Sequence, residues 1–133
     1  MVSSLTNGGD EDKDMQDTKN FKKSEFDCPC CGMNNMSQVM VNTLQRIRDK
    51  VKAPIIITSG CRCPDHNEDV GGKKKSAHMK GTAVDIAVAQ GNSRLRYNLI
   101  SYAISEGIDR IGIYDTWIHL DIEPSLTHRQ MWV

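Results

Sequence analysis

Two short segments constrain this chain more than any others: TAVDIAV at 82–88 and WIHLDI at 117–122. Both alternate with a period of two, the pattern of a β-strand with one apolar face. In the first, Val84, Ile86 and Val88 share a face, while Asp85 lies between Ala83 and Ala87 on the other. In the second, Ile118, Leu120 and Ile122 face one way, and Trp117, His119 and Asp121 the other. A carboxylate inside a small sheet is rarely buried unless it is paired or bound to a metal. Each of these groups alone reads as an ordinary solvent-facing side chain. Their combination raises the question of a metal site.

The segments around them specify the fold class. SQVMVNTLQRIRDKVK carries Met40, Leu44, Ile47 and Val51 on one helical face, with Ser37 as N-cap, and Pro54 ends the helix. IIIT at 55–58 is a β-branched run, read as a buried strand. Residues 59–76 contain Gly60, Pro64, Gly71 and Gly72 without periodicity and read as a long ordered loop, of the kind that carries function. NSRLRYNLISYAISEG is a second helix, with Leu95, Leu99 and Ala103 on one stripe and Gly107 as its stop signal. RIGIYD and WIHLDI close the chain as two strands joined near Asp115 and Thr116. The sum is an α+β domain with a small, mostly antiparallel sheet and flanking helices.

At 133 residues the chain is expected to hold one domain with one modest core. Seventeen basic residues balance seventeen acidic ones, so there is no electrostatic footprint for nucleic acid. The run Lys73-Lys74-Lys75 reads as a solvated loop tip. No segment approaches the roughly 18 apolar residues of a membrane helix. Residues 1–20 are polar and acidic, lack the apolar stretch of a secretory signal, and read as a disordered leader before a single domain at 21–133. A chain made in the cytoplasm and working as a monomer is the expectation.

Five cysteines fall in CPCCG (Cys28, Cys30, Cys31) and CRC (Cys61, Cys63). An odd number without a secretory signal argues against a disulfide framework. Cys28 and Cys31 have the spacing of a zinc knuckle, and Cys61 and Cys63 are candidates to complete a second, structural metal set. Reduced or paired thiols are the alternative.

Two histidines and one carboxylate make a zinc set of the catalytic kind, three protein ligands with a fourth position open. His78 and Asp85 come from SAHMKGTAVD, where Gly81 lets the backbone turn tightly, and His119 comes from the last strand. His66 and His128 have no partner at useful spacing and read as surface residues.

These residues also carry a family resemblance. The pattern SGCRCPDHN, VGG, SAHMKGTAVDI and GIYDTWIHLDIEP resembles the M15 zinc peptidases, the D-Ala-D-Ala carboxypeptidases and phage endolysins that share a fold with the Hedgehog signalling domain. The motif S-x-H-x-x-G-x-A-x-D is matched at Ser76, His78, Gly81, Ala83 and Asp85, and the last motif is that of the His-x-Asp subgroup. The resemblance spans about Phe21 to Trp132. It implies a zinc ion held by His78, Asp85 and His119, and a cell-wall peptide as substrate. It implies Arg62 as the group that binds a substrate carboxylate or the developing oxyanion. Ser76 is expected to cap or orient the loop beside the substrate, because nothing supplies the base a serine nucleophile needs. In the closing RQMW, Trp132 is expected to pack rather than react. The resemblance further implies action on the wall after release from the cell or as a phage or virion component.

The chain departs from the family at the general base. The position three residues before the last histidine, where relatives carry an acid, is Thr116. Asp121, about 7 Å along the strand from His119, is the favoured replacement, with an orienting role as its alternative; Asp115 is the second candidate. Cys61 stands where relatives carry an aromatic residue.

Overall fold

The side chains that alternate in the sequence do face opposite ways across one sheet, and this sets where core and site lie. The computed structural model describes residues 15–133. The first fourteen residues of the expected leader lie outside the described part. Residues 15–20 run along the first helix: Met15 joins the core, and the Thr18 hydroxyl and Asn20 amide both donate to Gln45 Oε1 at 2.8 Å.

The described residues form three α-helices, α1 (Gln38–Val51), α2 (Pro64–Asp69) and α3 (Ser93–Ser105). Ser37 caps α1 by accepting from the Met40 amide at 3.2 Å, as its position before the apolar stripe predicts. Met40, Leu44 and Ile47 are wholly buried, and Val51 packs at the edge of the same cluster. Helix α3 lies against α1. Glu106, at its C-terminal end, accepts from Arg46 and Lys50 of α1, both at 2.7 Å.

Among the described residues five strands form one sheet: β1 (Ile57–Ser59), β2 (Ala83–Ala87), β3 (Arg110–Ile113), β4 (Trp117–Asp121) and β5 (Gln130–Trp132). Their order is β1-β2-β4-β3-β5, with every pairing antiparallel except the parallel β3–β5 pair. This is the α+β class with a mostly antiparallel sheet. Val84, Ile86, Ile111, Ile118 and Leu120 are almost completely buried in the core cluster that also holds the apolar face of α1. Burying a side chain of this size contributes about 1.5–3 kcal/mol, so this face holds the register of the sheet. That register sets Asp85 opposite His119 and His119 opposite Gly112.

Three elements differ from the sequence reading. The loop 59–76 contains α2, begun by Cys63 as N-cap with Pro64 in the first turn. Six residues are too few for a helical apolar stripe to be visible. The run 55–58 is not a buried strand: β1 sits at the sheet edge, where Ile55 is buried but Ile56 is 61 % exposed. β5 has no readable pattern, since three residues cannot show an alternation, yet it brings Trp132 beside Gly112.

Between loop and β2, Ala77–Lys80 form one 3-10 turn, ended by Gly81 at φ +71°. A side chain at Gly81 would place its Cβ 2.1 Å from the Asn35 carbonyl oxygen. A separate bond holds the turn to the same segment: the Ser37 amide donates to the Gly81 carbonyl at 2.8 Å. Gly81→Ala is expected to destabilise the protein by at least about 1–3 kcal/mol, from the left-handed backbone alone, with the carbonyl clash in addition. Urea denaturation of the two proteins measures this; an unchanged midpoint would show that the turn relaxes freely.

Candidate metal centre

The turn capped by Ser76 delivers His78 to the polar face of the sheet. The Ser76 hydroxyl accepts from the His78 backbone amide at 3.2 Å and so caps the turn that carries His78. His78 and Asp85 are 2 % and 7 % exposed. One oxygen of Asp85, Oδ1, lies 3.2 Å from His78 Nε2 and 3.0 Å from His119 Nδ1. One ligand atom from each of the three residues lies within 4.8 Å of the others, a group able to hold a metal ion.

The outer partners of the two imidazoles suit the tautomers that would turn a lone pair inward to a metal. His78 Nδ1 is 2.8 Å from the Gly60 carbonyl oxygen, which can only accept, so Nδ1 carries the proton. His119 Nε2 is 2.7 Å from Asp121 Oδ2, again an acceptor. In the neutral rings His78 Nε2 and His119 Nδ1 are then lone pairs, both aimed at a carboxylate oxygen. Three acceptors converging in a buried site repel unless a cation lies among them. The donor set therefore fits a divalent metal, and two histidines with one carboxylate suit zinc.

The charges around the cluster express the same need. Burial would raise the Asp85 carboxyl, but hydrogen bonds to His119 and His78 hold it well below the usual carboxylate range. Burial likewise disfavours charge on His119, yet the Asp121 and Asp85 carboxylates raise its pKa. A proton on His119 Nδ1 is the cation that takes the metal's place, so the two compete.

Asp121 is fully buried, and both its oxygens are engaged. Oδ2 faces His119, while Oδ1 accepts from Arg110 Nε at 2.7 Å and from the Glu123 amide at 3.1 Å. Burial opposes its ionisation, but His119, the Glu123 amide and Arg110 keep the carboxyl below its ordinary value. Asp115 is exposed on the turn between β3 and β4, away from the cleft wall; its carbonyl accepts from Arg96 at 2.9 Å. Arg62 lines the cleft and approaches Asp85 Oδ2 at 3.5 Å, with Asn67 Oδ1 at 3.2 Å and Ser59 Oγ at 3.3 Å as its other partners.

The ligand group opens on a cleft of about 600 Å³. Arg62, Lys73, Lys75 and Arg110 contribute positive charge to its walls. Tyr114 and Trp117 stack with centroids 4.4 Å apart, and Trp132 lies 5.5 Å from His119. Trp132 packs there because Gly112 has no side chain: a Cβ would meet the indole Nε1 at 2.6 Å. The exposed lysines 73 and 75 are solvated as expected but stand at the mouth of the cleft. Arg110 escaped the sequence reading, although its cross-strand partner is Asp121 and a charge opposite a buried acid is the signal that pairing would have supplied.

The other residues singled out in the sequence lie elsewhere. His66 is outside the cluster, and His128 is exposed, with Nδ1 2.6 Å from Asp109 and Nε2 2.8 Å from the Glu123 carbonyl oxygen. Cys28, Cys31 and Cys63 come together, but the fourth sulfur is that of Cys30. Cys61 is buried in the core, its Sγ 3.6 Å from Asn34 Oδ1.

Because the Asp121 carboxylate fixes the His119 ring, Asp121→Asn is expected to weaken zinc binding about 10- to 100-fold, measured by chelator competition. Zinc affinity is also expected to fall with acidification, as the raised His119 pKa lets a proton displace the metal. A pH-independent affinity through the histidine range would contradict this ligand assignment.

No curated protein matches the chain. The Peptidase M15 family matches residues 17–121, a span that contains the three converging ligand residues and all strands but the last. The chain belongs to the Peptidase M15 family.

Proposed function

We propose that this M15 peptidase is a zinc enzyme that cleaves the stem or cross-link peptides of peptidoglycan, as a D-Ala-D-Ala carboxypeptidase or an endolysin-type endopeptidase. The observation that carries the reading is the convergence of His78 Nε2, Asp85 Oδ1 and His119 Nδ1 at the base of a cationic, aromatic-walled cleft. Bound zinc supplies a Lewis acid that polarises a carbonyl and acidifies water. His78 and His119 are held as lone-pair donors by Gly60 and Asp121. Arg62 presents a guanidinium already fixed by Asn67, suited to a carboxylate terminus or to a developing oxyanion. Lys73 and Lys75 favour an acidic peptide. The ring stack of Tyr114 and Trp117 offers an apolar wall for short side chains such as alanine. Action on the wall after release, or from a phage particle, and a monomeric state belong to the same reading. No helix among the described residues is long and apolar enough to cross a membrane.

A second reading has one specific observation in its favour. Among the described residues, the only carboxylates lining the cleft are Asp85 and Asp121, and both are committed, the first to the ligand group and the second to His119 and Arg110. In the role assigned here Asp121 is a positioning carboxylate and not a free base. A fold that holds zinc but lacks a base would be a binding module.

Turnover separates the two. Zinc-loaded protein incubated with purified muropeptides is expected to release new amino groups, with the cleaved bond identified by mass spectrometry. His78→Ala should abolish release, and Arg62→Gln should lower kcat by about 10²–10³-fold if Arg62 stabilises the oxyanion. Stoichiometric zinc with intact muropeptides of every type would establish the binding module instead.

A further inference from the structure

The cysteines form a second donor cluster that the peptidase chemistry does not use. The sulfurs of Cys28, Cys30, Cys31 and Cys63 all lie within 4.8 Å of one another. Cys28 Sγ and Cys30 Sγ are 3.7 Å apart, and Cys30 Sγ and Cys63 Sγ are 3.2 Å apart. Four thiolates around a tetrahedral zinc, at about 2.3 Å each, would be separated by about 3.8 Å. Small shifts of the exposed Cys30 and Cys31 side chains would bring the four sulfurs to that arrangement.

The backbone is already shaped for such a site. The turn 28–32 is closed by the Gly32 amide donating to the Cys28 carbonyl at 2.8 Å, and by the Cys28 amide donating to the Met33 carbonyl at 2.9 Å. Gly32 has φ +77°, which permits this tight reversal. Two backbone amides also point at sulfur: that of Cys63 donates to Cys28 Sγ and that of His66 to Cys63 Sγ, both at 3.4 Å. Amide donors to sulfur stabilise the thiolate, the form that binds a metal. The adjacent pair Cys30 and Cys31 are both exposed, so no packing demand explains why cysteine occupies them.

We propose that Cys28, Cys30, Cys31 and Cys63 bind a structural zinc ion as a tetrathiolate site. Four protein ligands leave no open position, which makes the ion a staple and not a catalyst. It joins the 28–31 turn to residue 63, more than thirty positions along the chain. Between them, the backbones already touch: the Cys61 amide donates to the Phe26 carbonyl at 2.9 Å, and a Cβ at Gly60 would meet Phe26 Cα at 2.7 Å. The stapled segment 60–63 carries two groups that serve the other metal centre. The Gly60 carbonyl fixes the His78 tautomer, and Arg62 reaches Asp85. The sulfur site is thus a positioning element for the first ligand and for the cleft arginine.

The test is X-ray absorption and metal counting on the whole protein, purified with zinc. The expected result is two zinc ions per chain and a scattering shell containing Zn–S at about 2.3 Å. In Cys30→Ser/Cys31→Ser, whose exposed positions open no cavity, the count should fall to one and the sulfur shell should be lost. Should that variant fail to fold, the wild-type protein loaded with cobalt still decides, because a tetrathiolate gives intense sulfur-to-cobalt charge-transfer absorption. Nitrogen and oxygen scattering alone in the wild type, or these four cysteines recovered as disulfides from the native protein, would overturn the proposal. It is independent of the peptidase reading: one zinc in an all-sulfur shell would remove the His/Asp metal and leave this site standing.

Discussion

The Asp85 carboxylate is the point on which the polar half of this molecule depends. It sits at the middle of β2, and the β2–β4 register places it against His119. The turn ended by Gly81 brings His78 to the same oxygen, while Arg62 approaches the other. A buried ionised group is costly by several kcal/mol unless it is compensated. Each neighbour of Asp85 therefore carries part of the burden of keeping it charged. The apolar face of the same strand supplies the opposite term. Val84 and Ile86 hold β2 in the core, so the carboxylate cannot move out to water without breaking the sheet. The site is thus polarised by the fold before any metal arrives.

Around that point the structure is arranged in shells. Gly60 and Asp121 receive the outward protons of His78 and His119, and Arg110 and the Glu123 amide in turn hold Asp121. Arg110 also lies over the Trp132 ring, 5.3 Å from its centroid, and the indole donates to the Tyr114 hydroxyl at 2.8 Å. The aromatic cleft wall and the ligand geometry are consequently one network. A change in Trp132 would be felt at His119 through both the ring contact and Arg110. Such outer groups tune a metal centre nearly as strongly as the ligands themselves.

What could be read from the sequence and what could not divides along physical lines. The helix stripe of Met40, Leu44 and Ile47 and the alternation of β2 and β4 are periodic, and periodicity survives without coordinates. Asp85 and His119 stand out because they interrupt those strands, whereas His78, on the 3-10 turn, is marked only by the motif around it. Spacing alone cannot tell which side chains of CPCCG and CRC turn toward one another; the sulfur positions decide it, with Cys30 beside Cys28, Cys31 and Cys63 while Cys61 packs in the core. The edge position of β1, the short helix α2 and the three-residue β5 depend on pairing and capping too brief to leave a pattern. Arg110 was silent for a related reason, since its meaning comes from its partner across the strand.

The roles of Asp121 and Thr116 follow from the same geometry. On β4, His119 and Asp121 share a face, so the acid two residues on necessarily lies beside the imidazole. With Nδ1 of that ring turned to Asp85, Nε2 is left to meet the acid. An Asp at this position therefore meets the imidazole at Nε2, across the ring from the Asp85 contact at Nδ1. Position 116 is different, being in the turn before the strand, where Thr116 donates no carboxylate and its carbonyl is taken by the Val88 amide at 2.9 Å. The geometry therefore separates two functions that a carboxylate near this histidine could serve. Asp121 is held against His119 by Arg110 and the Glu123 amide, whereas Arg62 and Tyr114 line the open cleft.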